Sequence, residues 1–260
     1  MASPLRLVAF DLDDTLAPSK SAIDPTIGRL LIALADHVDV AIISGGRLEQ
    51  FTAQVIDRLP AASASTLERF HLLPACGTQY YRIRDARIET VYARRLTADQ
   101  RERTIAAFES EARGLGLWER ETWGDILEDR GSQITYSALG QEAPIDAKTA
   151  WDPDGAKKAS LRAAVAARLP DLDVRSGGST SIDVTERGVD KAFGMRELSR
   201  STGIALDEML FIGDRLDPEG NDYPVLALGV PCHAVTGWED TAAYLDALLS
   251  TWTAAARTDA

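Results

Sequence analysis

Residues Leu7 to Leu16 read LVAFDLDDTL, an apolar run that stops abruptly in Asp11, Asp13 and Asp14 with Thr15 close behind. The pattern places three carboxylates at a strand's carboxyl end, where an open α/β sheet gathers its chemistry. Acids crowded together raise one another's pKa and resist desolvation, so the cluster needs a cation or a set of backbone donors beside it. A bound metal meets that need most simply. The Asp-x-Asp-x-Thr spacing also suits phosphoryl transfer: one carboxylate attacks phosphorus, the next moves a proton, and an all-oxygen donor set suits Mg²⁺. The competing account is a strand running into an Asp-rich turn that caps the next helix.

Three later segments supply what such a site would lack. After the apolar run Val38 to Ile43 comes Ser44-Gly45-Gly46, where a hydroxyl and unhindered backbone N–H groups can hold a phosphate oxygen. Gly188-Val189-Asp190-Lys191 then puts a Lys in the first turn of a helix carrying Phe193, Met195 and Leu198. A cation is disfavoured at a helix N-terminus, so Lys191 fits best facing an anion. Last, Met209 to Ile212 runs into Gly213-Asp214, followed by Asp217, Glu219, Asn221 and Asp222, again acids at the end of an apolar strand.

The first 80 residues alternate strand-like and helix-like patterns. Asp24 caps a helix, Pro25 opens it, and Ile27, Leu30, Leu31 and Leu34 form its apolar face; Leu48, Phe51, Val55 and Leu59 form another. That order implies a mostly parallel sheet with helices on its faces. The pattern changes over residues 85–186: strand-like Ile88 to Tyr92, a long helix opened by the box Thr97 to Gln100, alternating Ser132 to Ser137, a helix near Lys157 to Leu169, and alternating Ser181 to Val184. This reads as a second unit inserted into a core of residues 1–84 and 187–260. The first pattern returns at the end, with a short strand at Val230 to Val235 and a helix at Ala242 to Leu249.

A formal charge of -12 excludes nucleic acid and an anionic membrane surface as main partners, since both need a basic face. Two cysteines, Cys76 and Cys232, indicate neither a disulfide framework nor a Cys-based zinc site, and buried structural thiols are expected. No apolar run approaches the length of a membrane span, and a cytoplasmic location is expected.

In order and identity these segments resemble the haloacid dehalogenase superfamily of aspartate-nucleophile phosphotransferases. The resemblance implies a Rossmannoid parallel α/β core with an inserted α+β cap. It makes Asp11 the nucleophile, Asp13 the general acid/base, Thr15 a residue that holds phosphate and loop, and Ser44 and Lys191 phosphate-binding positions. It gives Mg²⁺ to Asp11, the backbone carbonyl of Asp13, and Asp214, with Asn221 and Asp222 in support. Within the superfamily, the large lid and the long loop Gly213 to Asp222 are most similar to eukaryotic-type phosphomannomutases, whose lids govern substrate choice and whose members dimerise through them.

That group also implies sugar contacts from Ser181 and Asp183. Strand alternation agrees, because it sets both opposite Ile182 and Val184, with Gln133, Thr135 and Ser137 forming an adjoining polar face. Arg130 is the lid residue placed to hold a distal phosphate. Where the mutase pattern carries two further Arg residues, this chain has Gln141 and Lys148. A mutase must grip a bisphosphorylated sugar in two orientations, whereas a phosphatase need only admit water. Gln141 therefore turns the expectation toward a phosphatase acting on a small phosphorylated sugar, with a phosphohexomutase as the alternative. A non-catalytic phosphosugar-binding protein is disfavoured by Asp11, Asp13, Lys191 and Asp214 together.

Overall fold

A computed structural model describes residues 4–177 and 180–258. Contacts divide the chain into two units, residues 1–93 with 190–260 and residues 94–189.

The first unit opens with β1 (Leu7–Phe10), α1 (Pro25–Ala35), β2 (Asp39–Ile43), α2 (Leu48–Gln54), α3 (Ala64–Leu67), β3 (Phe70–Leu73), β4 (Gln79–Arg84) and β5 (Arg87–Ala93). The second unit follows with α4 (Ala98–Gly114), β6 (Leu127–Asp129), β7 (Gln133–Ser137), α5 (Ile145–Trp151), α6 (Ala156–Arg168), β8 (Leu172–Ser176) and β9 (Ser181–Glu186). The chain then returns to the first unit through α7 (Lys191–Thr202), β10 (Met209–Gly213), α8 (Tyr223–Ala227), β11 (Cys232–Ala234) and α9 (Trp238–Thr258).

In the first unit the strand order is β11-β10-β1-β2-β3-β4-β5, parallel from β11 through β3 and antiparallel from β3 to β5. The chain grows outward from β1 in one direction through β2 and β3, and in the other through β10 and β11. The switch point therefore falls between β1 and β10, whose carboxyl ends carry Asp11 and Asp214. Every residue of β1 is buried, as expected of a parallel strand covered on both faces. Val8 and Phe10 pack into a cluster with α1 and Phe51, while Leu7 and Ala9 pack into another with Met195 and Leu198 of α7. Each fully buried large side chain of this kind contributes about 1.5–3 kcal/mol. Asp24 caps α1 by accepting from the Thr26 N–H at 2.7 Å, with Pro25 at the first helical position.

The second unit is an antiparallel sheet ordered β6-β7-β9-β8. Ile134, Tyr136, Ile182 and Val184 share a core with Phe108 of α4 and with Leu161 and Val165 of α6. Phe108 stacks on Tyr136 at 5.3 Å, and the Tyr136 hydroxyl donates to the Leu117 carbonyl at 2.5 Å. Thr97 and Gln100 form the expected capping box of α4.

Three expectations change. The strand at Ile88 to Tyr92 belongs to the first unit, because β5 pairs along its whole length with β4, so the divisions fall after Ala93 and Val189 instead of at 84 and 187. The closing helix starts earlier and runs further than its apolar stretch. Cys76 and Cys232 are half-buried thiols outside any disulfide, instead of the fully buried ones expected. Of the polar segment that leads into β9, Gly178 and Ser179 lie outside the described residues.

Candidate active site

Four loops of the first unit converge. Asp11 leaves β1 with its N–H donating to the Ile212 carbonyl on β10 at 3.0 Å, which fixes the carboxylate at the switch point. Lys191 begins α7, whose N-cap Asp190 accepts from the Phe193 N–H at 2.8 Å. Its ammonium lies 2.6 Å from Asp11 Oδ1 and 2.5 Å from Asp222 Oδ1, with all three side chains buried. Lys191 therefore faces two acidic side chains at the start of its helix, as expected.

Asp222 reaches the site because the loop after β10 folds back: the Arg215 N–H donates to Asp222 Oδ2 at 3.1 Å, and the Asp222 N–H to the Arg215 carbonyl at 3.1 Å. Gly213 permits the approach, since a Cβ there would stand 2.3 Å from Asp222 Oδ2. Carboxylate oxygens of Asp11, Asp214 and Asp222 lie within 4.8 Å of one another. Asn221 is exposed on the same loop. The Asp13 carboxylate turns to its own loop, accepting from the Lys20 N–H at 2.7 Å. Thr15 is buried, and its hydroxyl donates to Asp214 Oδ1 at 3.4 Å. Ser44 is buried after β2, its Oγ accepting from the Gly46 N–H at 3.2 Å, with Gly45 half-buried between them.

The electrostatics follow from this crowding. Burial pushes Asp11 up to about 8, against the pull of Lys191, and Asp222 adds to the rise. Burial also raises Asp214, with Asp222 again adding, and raises Asp13 against the opposing Lys20 N–H. Burial works against the charge on Lys191, but Asp11 and Asp222 outweigh it and its pKa is raised. Three carboxyl groups crowd together in this desolvated place, and their hard oxygen donors fit a divalent cation of the Mg²⁺ class.

In the second unit, register places Ser137 beside Ser181 and Thr135 beside Asp183 on the face away from the core. A chain of polar contacts runs along that face. Gln133 Nε2 donates to Thr135 Oγ1 at 2.9 Å, and Thr135 Oγ1 donates to Asp183 Oδ1 at 2.7 Å. Gln141 Nε2 donates to Ser137 Oγ at 2.9 Å, and the Ser137 and Ser181 hydroxyls lie 3.0 Å apart. Lys148 Nζ donates to the Gln141 carbonyl at 3.4 Å, so a cation stands beside the position where the expected guanidinium is missing. Arg130 is paired with Glu128 at 2.6 Å. Burial raises Asp183, against the pull of Arg130 and the Thr135 hydroxyl.

Residues 28–251 match the family model described as eukaryotic phosphomannomutase. The chain belongs to that family. A probable phosphomannomutase of Caenorhabditis elegans is 25% identical over 271 residues, covering 95% of this chain and 97% of the relative. The phosphomannomutase of Saccharomyces cerevisiae is 23% identical, covering 95% of each. Among solved structures, a haloacid dehalogenase-like hydrolase from Bacteroides thetaiotaomicron has a TM-score of 0.62 at 17% identity, covering 94% of this chain and 99% of that one. An IMP-bound, N-terminally truncated IMP-nucleotidase from Plasmodium falciparum has a TM-score of 0.68 at 14% identity, covering 95% and 68%. These likenesses show the haloacid dehalogenase fold, in agreement with the α/β core and inserted cap expected of the sequence.

Within the family frame two site features escaped the sequence. Arg215 orients Asp222 through its backbone N–H, and Thr241 of α9 donates from Oγ1 to the Thr15 carbonyl at 2.7 Å. The first forms within the loop after β10 between residues seven apart, and the second joins segments 226 residues apart through the fold. Among the described residues no helix is long and apolar enough to cross a membrane.

Proposed function

We propose that the protein is a Mg²⁺-dependent phosphohexomutase of the phosphomannomutase type that works through an aspartyl-phosphate on Asp11. The observation that carries this reading is the Asp11, Lys191, Asp222 constellation in a chain aligned end to end with phosphomannomutases. Phosphoryl transfer asks little covalent work of a protein beyond in-line positioning and neutralisation of the equatorial oxygens. Asp11 attacks phosphorus. Lys191 and Ser44 hold phosphate oxygens, with the Gly45 N–H offered as a further donor. Asp13 protonates the leaving sugar oxygen and later takes the proton from the attacking hydroxyl; its burial-raised pKa suits a group that must carry a proton between steps. Mg²⁺, held by Asp11, Asp214 and Asp222 with Asn221 close by and the Asp13 carbonyl in support, would supply charge neutralisation as the phosphoryl group moves.

In the second unit Ser181 and Asp183 offer hydrogen bonds to hexose hydroxyls, and Arg130 and Lys148 offer positive charge for a second phosphate. The proximity of Lys148 to Gln141 alters the weight given to the missing Arg: the amide replaces one cation while another stands beside it. A phosphosugar phosphatase is the second reading, favoured by the neutral Gln141 side chain bound to Ser137. Partners beyond a phosphorylated sugar are proposed to be a second copy of this chain, joined through the cap, with neither nucleic acid nor membrane.

A ³¹P time course with hexose 1- and 6-phosphates and Mg²⁺, with and without a hexose 1,6-bisphosphate, tests the reading. Positional exchange of phosphate that depends on the bisphosphate supports it. Net release of inorganic phosphate without activator supports the phosphatase instead.

A further inference from the structure

Thr15 is held at both ends. Its hydroxyl reaches Asp214, and its carbonyl accepts from Thr241 Oγ1 at 2.7 Å, a contact between residues 226 positions apart. Thr241 is fully buried in the first turn of α9, where its hydroxyl also faces the Gly237 carbonyl at 3.4 Å. A helical Thr satisfies its hydroxyl on its own preceding turn by default, as Thr104 does on the Gln100 carbonyl at 2.7 Å. Thr241 makes its shorter bond outside the helix, to the loop that carries Asp11 and Asp13. The anchor is itself fixed. The Val235 N–H donates to the Gly213 carbonyl at 3.1 Å, and Asp240 Oδ2 accepts from both the N–H and the hydroxyl of Thr236 at 3.1 Å. The segment that delivers Thr241 is thus tied to the same strand end that delivers Asp214.

We infer that Thr241 is a positioning residue: by holding the Thr15 carbonyl it fixes the loop Asp11 to Thr15 against Asp214 and so sets the spacing of the oxygen donors for the divalent cation. The inference rests on the metal-dependent reading of the site. Outer groups that orient ligands commonly change metal affinity by about 10- to 100-fold when removed. The hydroxyl is isolated by comparing Thr241→Ser, which keeps it, with Thr241→Ala, which loses it; both lose the methyl and the packing it provides.

The experiment is calorimetric titration of Mg²⁺ into the wild type, the two Thr241 variants, Thr104→Val as a remote control, and Asp214→Asn to locate the binding. Affinity about tenfold weaker in Thr241→Ala than in Thr241→Ser, with Thr104→Val at the wild-type value, supports the inference. Equal affinity in Ala and Ser variants overturns it while leaving the metal site intact. A wild type that binds no Mg²⁺, or binding that Asp214→Asn does not weaken, overturns both the inference and the site reading. Should Thr241→Ala fail to fold, Thr241→Val replaces it against the same Ser variant under the same criterion.

Discussion

The Lys191 ammonium lies 2.6 Å from Asp11 Oδ1, buried at the switch point of a parallel sheet, and Asp222 closes on its other side. The carboxylate proposed to attack phosphorus and the cation proposed to hold phosphate oxygens are thereby in contact. Removing Lys191 leaves the buried Asp222 carboxylate without its ion-pair partner, at about 3–5 kcal/mol. Lys191→Met is therefore expected to lose activity and to unfold at lower denaturant, with Mg²⁺ restoring part of the stability. Chemical denaturation with and without Mg²⁺ checks this, and unchanged stability would contradict the pairing.

Burial raises Asp11 from its ordinary value of 3.8 to about 8, against the pull of Lys191. The folded chain then binds more protons than the unfolded one. This group's contribution to stability is full below about pH 4 and is lost as pH rises toward 8. A cation competes with the same proton, so Mg²⁺ affinity should rise between about pH 6 and pH 8. Mg²⁺ titrations across that window give the answer, and a flat profile would remove Asp11 as the proton holder.

Gly213→Ala places a Cβ against Asp222 Oδ2. The carboxylate must move away from Lys191, so weaker Mg²⁺ binding and a loss of turnover are expected in a folded protein. Wild-type affinity in that variant would show that Asp222 is not a donor.

Gln141→Arg adds a charged donor beside Ser137 and Lys148. Charge-assisted hydrogen bonds are roughly twice as strong as neutral ones, so hexose bisphosphate should bind about tenfold tighter. Equilibrium binding measures this, and unchanged affinity would contradict a role for this face in phosphate recognition.

The parts of the site legible in the sequence were those whose signal is local. LVAF ending in Asp11 announces a strand and its carboxyl end, Asp24-Pro25 announces a helix start, and period-2 alternation sets Ser181 and Asp183 opposite Ile182 and Val184. Lys191 was legible because a cation at a helix start requires an explanation. What remained hidden depends on pairing across the fold. Ile88 to Tyr92 reads as a strand, but only its ladder with β4 assigns it to the first unit. Gln141 reads as a lost cation until Lys148 is seen beside it, and Thr241 reads as any helical Thr until its hydroxyl is found on the Thr15 carbonyl.

The most direct measurement is mass spectrometry of the protein quenched in acid after brief exposure to a hexose bisphosphate and Mg²⁺. The account predicts one phosphoryl group per chain, on the peptide containing Asp11, absent from Asp11→Asn and lost on treatment with hydroxylamine. Phosphate on another residue, or none at all in a preparation that turns over, would contradict it.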